Sequence, residues 1–358
     1  MGDVNRLPPG TAAGALRRAW SPGRVNLIGD HTDYNAGVAL PMAVDLGTTV
    51  TFVPGDSGRV VLRSDRDPDP ADVDLDTALH PERLRSVEPR WARYVAAVVA
   101  AVRPGHGGQG TVTTTLPVGA GLSSSAALEV ATALALGFEG DHLTMARTCQ
   151  RAEQAATGVP TGIMDQLVVS AARPGHALFV DFADLSTRHV PVPDGVDIVV
   201  VHSGEERALD RSAYATRRAE CDAAAHRLGP LGEVSPQVAG AIPDPLLRRR
   251  ARHVASECER VRHFARALAR GDLAEAGQLM TASHRSLAGD FEVSTPALDA
   301  LVDRLTQTPG VFGARLTGAG FGGCVVALAE PGAVDLTAYR SGAWRVRAAG
   351  GASLLDPD

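Results

Sequence analysis

Residues 29–35, GDHTDYN, set Asp30, His31 and Asp33 at the end of the apolar run VNLIG, with Tyr34, Asn35 and Gly37 close behind. Carboxylates accept hydrogen bonds from O–H donors at fixed angles, so the cluster suits a hydroxyl-rich molecule such as a sugar. A plainer reading is a polar turn in which Asp30 and Asp33 cap backbone N–H groups. Arg24, just upstream, would supply positive charge to a transferring phosphoryl group. A second cluster, LPVGAGLSSSAALEV (116–130), turns on Gly119 and Gly121 and puts Ser123, Ser124 and Ser125 where a helix begins. Free N–H groups and the helix dipole make an anion site there, and glycines let a phosphate approach the backbone. A glycine turn followed by a serine N-cap explains the same residues, although three serines exceed what one cap requires.

A third cluster, LTGAGFGGCVV (316–326), places glycines 318, 320, 322 and 323 between two strands. Alone it is a flexible hairpin or a backbone passing close to a ligand. Beside the second cluster it suggests two loops facing one polyanion. The fourth stretch, GVPTGIMDQL (158–167), carries Asp165 in otherwise apolar company, and a carboxylate buried there needs a partner or a task. Glu153 sits late on the preceding helix, where the dipole disfavours a carboxylate and a cation would relieve it. The alternative is a solvated residue beside Arg147 or Arg151.

These groups need elements to hold them. Residues 23–53 and RVVLRS (59–64) alternate apolar stretches with turns and predict strands, as does the β-branched GTVTTTLP (110–117). Helices are predicted over 90–102, 122–136, 141–158 (Asp141 as N-cap, Gly158 as C-cap) and 213–229, with one long helix or two over 245–271. Strands are predicted over 177–182 and 196–203, and a strand, glycine loop and strand over 313–330. The acidic, proline-broken 65–76 reads as a surface loop, and 231–245 as a linker-like loop. Strands followed by helices, twice over, predict an α+β chain in two domains, 1–172 and 173–358.

The chain has 358 residues, 44% hydrophobic and 21% charged, enough for two cores. A net charge of −6 gives no basic field for nucleic acid or a membrane surface. No apolar run is long enough to cross a bilayer, and the N-terminal residues lack the charged-then-apolar order of a signal peptide. All 35 basic residues are arginine. That excludes a P-loop lysine, a protein-kinase strand lysine and Schiff-base chemistry. The four scattered cysteines read as reduced thiols of a cytoplasmic protein, without a zinc pattern.

Together GRVNLIGDHTDY, GAGLSSSAALEV, GVPTGIMDQ and LTGAGFGGC resemble the galactokinases, a family within the galactose–homoserine–mevalonate–phosphomevalonate (GHMP) kinase superfamily. The likeness continues through SAYATRRAEC, RRARHVASECERV and LMTASHRSLAGDFEVS, covering about Gly23 to Cys324. The resemblance implies a two-domain GHMP kinase fold with mixed sheets and helices and the active site in the cleft between domains. It also implies transfer of the ATP γ-phosphoryl group to the C1 hydroxyl of α-D-galactose, with Mg²⁺. Asp165 matches the base that takes the sugar proton, and Arg24 the arginine that keeps it ionised. Asp30, His31, Asp33, Gly162 and Tyr214 match the sugar-binding residues. Gly119, Ala120, Gly121, Leu122, Ser123, Ser124 and Ser125 match the ATP phosphate loop, with Gly320 in the supporting loop. Ser125 and Glu153 match the Mg²⁺ ligands, and oxygen-only donors suit that cation. Two departures stand out: Asp30 is more often glutamate in the family, set to reach the C6 hydroxyl, and Ala36 replaces Asp or Gly. The expected partners are a sugar and MgATP, without nucleic acid or membrane, for a monomeric chain. The alternatives are a kinase for N-acetylgalactosamine or a pentose, a mevalonate or homoserine kinase, and a non-catalytic galactose and ATP sensor.

Overall fold

The computed structural model describes residues 14–117, 119–205 and 211–356. Most of the N-terminal stretch weighed as a leader lies outside them. The first half runs β1 (Arg17–Asn26), β2 (Val38–Ala39), β3 (Pro41–Gly55), β4 (Arg59–Ser64), β5 (Ala71–Asp74), α1 (Pro81–Arg85), α2 (Ala92–Val102), β6 (Gly107–Thr114), α3 (Ser124–Ala135), α4 (His142–Thr157) and α5 (Met164–Ala171). The second half runs β7 (His176–Asp181), β8 (Thr187–Pro191), β9 (Asp197–His202), α6 (Arg211–Leu228), α7 (Pro236–Gly240), α8 (Pro245–Arg270), α9 (Leu273–Gly289), α10 (Pro296–Thr306), β10 (Val311–Thr317), β11 (Cys324–Ala329), β12 (Ala343–Val346) and β13 (Ser353–Leu355).

Three sheets result, in the orders β13-β1-β3-β6-β4-β5, β10-β11-β9-β12 and β2-β7-β8. Only the β4–β6 ladder among those described is parallel; the rest are antiparallel. The closing strand β13 returns to the edge of the first sheet, where Ala19 faces Leu354. The predicted α+β character holds. The acidic stretch 65–76 is not all loop: Ala71 and Val73 are buried while Asp72 and Asp74 face solvent, and this alternation makes β5. The stretch 231–245 holds a short helix, α7, capped by Ser235, which accepts from Val238 N–H. Residues 245–270 form one helix of 26 residues, with Asp244 accepting from Leu246 and Leu247 N–H and Gly271 left-handed at its end.

One apolar cluster lies between the first sheet and α2–α5. The other lies under the second sheet and α8–α10, and it takes in Val25, Leu27, Ile28, Leu116 and Leu122 from the first half. The strand end and turn that precede the polar clusters are therefore anchored in the core of the second half. At about 1.5–3 kcal/mol for each fully buried large aliphatic side chain, that anchoring is substantial. Among the described residues no helix is long and apolar enough to cross a membrane. All four cysteines are buried thiols outside any disulfide.

Candidate active site

Arg24 emerges from an irregularity in the β1–β3 ladder between Pro22 and Arg24. Gly23 makes that possible, because a Cβ there would lie 2.4 Å from Leu116 and 2.6 Å from the Leu122 carbonyl. Arg24 N–H donates to Leu122 O at 3.0 Å, so β1 and the glycine–serine loop are stitched together at this residue. Its guanidinium then forks. Nε donates to Asp165 Oδ1 at 2.7 Å, Nη2 to Asp165 Oδ2 at 2.6 Å, and Nη1 to Gly121 O at 2.8 Å. A two-pronged, charge-assisted pair of this kind fixes the carboxylate in direction.

Asp165 lies in the first turn of α5. Its Oδ2 also accepts from Ser123 Oγ at 2.5 Å. Ser123 is the residue before α3, but its φ is +58° and its side chain makes no cap. The serine N-cap explanation therefore fails for Ser123, whose hydroxyl is committed to Asp165. Ser124 opens α3, and Ser125 Oγ donates to Glu153 Oε1 at 2.9 Å. Glu153 Oε2 accepts from Thr161 Oγ1 and Gln166 Nε2, both at 3.0 Å. Arg147 and Arg151 are not its partners. Burial, then the charge of Asp165, pushes the Glu153 carboxyl above its ordinary range. Behind it lies Glu129, wholly buried, accepting from the same Gln166 amide at 3.1 Å. Burial, followed by the Glu153 charge, raises Glu129 well above the carboxylate range.

Gly119 and Gly121, in the glycine–serine loop, take φ of +81° and +77°, open to glycine without strain. The third cluster meets this loop directly: Cys324 Sγ donates to Ala120 O at 2.9 Å. All four of its glycines have positive φ. A Cβ on Gly320 would sit 2.3 Å from Val293 O, and the neighbouring Phe321 N–H donates to that carbonyl at 2.8 Å. The two glycine loops do face each other, from opposite halves of the chain.

In the first cluster, Asp33 begins a single 3-10 turn. Gly162 leaves the space its carboxylate fills, since a Cβ there would lie 1.7 Å from Asp33 Oδ2. Burial, then the charge of Asp165, lifts Asp33 to about 6. Tyr214, on α6, packs its ring 5.8 Å from Tyr34 and 6.0 Å from His31. His31 has φ of +65°. Its Nε2 lies 3.1 Å from Ala319 O, so that nitrogen carries the proton, and Nδ1 accepts from Tyr34 O–H at 2.9 Å. Burial lowers His31 to about 4, so it is neutral at pH 7. Asp30 is 2% exposed, with Arg315 and Gly318 N–H on its carboxylate.

Sequence reasoning missed Arg315, Gln166, Glu129 and Phe291, whose ring lies 4.5 Å from His31. Arg315 carried a usable signal, a lone charge inside the apolar strand GARLT. His284, on α9, is buried; its Nδ1 accepts from Leu316 N–H at 3.4 Å, and it braces β10.

Models of known families match stretches of both halves of the chain. Models of the GHMP kinase N-terminal domain and C-terminal region match residues 93–172 and 264–340. The class defined is a GHMP kinase, an ATP-dependent phosphotransferase acting on a sugar. A model of the galactokinase galactose-binding signature matches residues 13–54, the stretch that carries Arg24, Asp30 and Asp33. A galactokinase of Mycobacterium bovis is 44% identical over 325 residues, covering 86% of this chain and 87% of that one. The human galactokinase is 43% identical over 330 residues, covering 87% and 83%. The crystal structure of Lactococcus lactis galactokinase complexed with galactose superposes with a TM-score of 0.87 at 31% identity, covering 95% of both chains. The chain belongs to the galactokinase family.

Proposed function

We propose that the protein transfers the γ-phosphoryl group of ATP to the C1 hydroxyl of α-D-galactose, giving galactose 1-phosphate and ADP. The observation that carries the reading is the Arg24 fork on Asp165. It sets an oriented carboxylate between the serine loop, suited to phosphates, and the Asp33–Gly162–Tyr214 side, suited to hydroxyls. ATP lies with its phosphates at residues 119–125 and the start of α3, where the N–H groups of a first helical turn have no partner within the helix. Galactose lies against Asp33, Tyr214 and Gly162, with His31 beneath them.

Asp165 orients and accepts the C1 hydroxyl proton while Arg24 holds the carboxylate in direction and offsets charge building on the moving phosphoryl group. Release of Ser123 Oγ from Asp165 would free the lone pair that the sugar hydroxyl needs. Phosphoryl transfer depends chiefly on such positioning and charge neutralisation. Ser125 and Glu153 are the residues that would hold Mg²⁺. Their oxygens meet at 2.9 Å, suit a hard cation, and include a carboxylate crowded by Asp165. When bound, that ion neutralises phosphate charge. Residues 1–172 and 173–358 form the two domains, with β13 returning to the first sheet, and the site lies between them. Four reduced, buried thiols suit the cytoplasm.

The test is ADP release with MgATP over galactose, glucose, N-acetylgalactosamine, galacturonate, arabinose and mevalonate. Turnover on galactose with galactose 1-phosphate as product is expected. Turnover confined to another sugar would move the substrate and keep the chemistry. Galactose binding without any ADP release would make the protein a sensor.

A further inference from the structure

The turn 29–31 is held from behind by the second half of the chain. Gly29 N–H donates to Glu257 Oε1 at 3.0 Å, and the Asp30 carbonyl accepts from His253 Nε2 at 3.3 Å. His31 donates to Ala319 O in the glycine loop. The strongest tie is the Asp30 side chain. Its Oδ2 accepts from Arg315 Nη2 at 2.5 Å and its Oδ1 from Gly318 N–H at 3.1 Å. Arg315 is fully buried on β10, and its Nη1 donates to Asn26 O at 3.2 Å, back on β1. Both oxygens of Asp30 are thus engaged at 2% exposure. By contrast, the Asp33 carboxylate lies against Gly162 beside Asp165.

We propose that Asp30 and Arg315 form a buried strut fixing the sugar-side turn of the first half against the glycine loop of the second, and that Asp30 leaves the sugar's C6 hydroxyl unbound. A buried charge pair is tolerated when complete and costly when one partner is removed, so the two residues act as a unit. Asp30 is then a positioning residue. The shorter aspartate suits this task, because its carboxylate stays at the level of β10. The choice of substrates rests on the galactose reading.

The experiment measures kcat/KM for galactose and for 6-deoxygalactose, with MgATP, in the wild type, Asp30→Asn, Arg315→Met and the double variant, together with their melting temperatures. The wild type is expected to use 6-deoxygalactose within about tenfold of galactose, since a missing hydroxyl costs little where the site has no group built to bond it. Each single variant should lose about tenfold or more on both sugars alike, keeping their ratio within about twofold. The double variant, freed of both buried charges, should melt above either single and lose no more activity than the worse of them. If the singles do not fold, the double carries the ratio test. A galactose preference that collapses in Asp30→Asn would overturn the proposal, as would a wild type that rejects 6-deoxygalactose. Additive losses, or a double variant as unstable as the singles combined, would overturn it equally. A wild type inactive on galactose would defeat the function proposed above, while the melting comparison would still decide the strut.

Discussion

At the scale of the residue, the site is a set of carboxylates given different tasks by their surroundings. Asp165 is locked by Arg24, Glu129 is pushed well above its ordinary range by burial, and Asp33 is held near 6 by burial and by its neighbour's charge. Because the folded-state value of Asp33 is raised, its contribution to stability is present below its unfolded value of 3.8 and is lost as pH rises through about 6. The acceptor role proposed for it towards sugar hydroxyls runs the other way and would be gained across that window. The KM for galactose should therefore rise by up to about tenfold per pH unit below 6, with the KM for ATP much less affected. Steady-state kinetics from pH 5 to 8 would check this, and a flat galactose KM would remove Asp33 from the sugar contact. Gly162→Ala should have a related effect at fixed pH. Its methyl group would displace the Asp33 carboxylate and raise the galactose KM more than the ATP KM.

At the scale of the element, two devices position these groups. One is ordinary capping: Asp141 accepts from Thr144 N–H at 2.7 Å at the start of α4, the helix that carries Glu153. Asp141→Ala should cost about 1 kcal/mol in urea unfolding and leave turnover intact. The other is the run of left-handed glycines after β10. Gly320→Ala forces a Cβ onto Val293 O, so the loop must shift, and kcat/KM should fall about 10²-fold with the fold retained by circular dichroism. The capped and periodic elements were readable in advance, α4 to within a residue, because Asp141 and Gly158 mark its ends. β5 was hidden because two of its four residues are aspartates in a proline-broken stretch, and only burial reveals the alternation. The serines were recognised as a group, but their division of labour was not readable. Ser123 and Ser125 serve carboxylates on two different helices that only the fold brings near. Spacing and the family resemblance group Asp30 with Asp33, while its partner Arg315 lies 285 residues away.

At the scale of the whole molecule, the site exists because distant segments meet. Arg24 comes from β1, Ser123 from the loop before α3, Asp165 from α5 and Tyr214 from α6. The second half closes the set through Gly318, Ala319 and Cys324. Substrates that bind such a meeting point should stabilise the folded chain, with galactose at a hundred times its Kd adding about 2.7 kcal/mol. Thermal melting with and without the sugar would show it. The central claim is that Asp165, oriented by Arg24, accepts the proton as the phosphoryl group moves. Rapid-quench single turnover of galactose with MgATP, comparing wild type with Asp165→Asn, tests it most directly. The account predicts galactose 1-phosphate from the wild type, about 10²–10⁴-fold slower formation in the variant, and galactose affinity kept within a few fold. Near-equal single-turnover rates in the two proteins would contradict it.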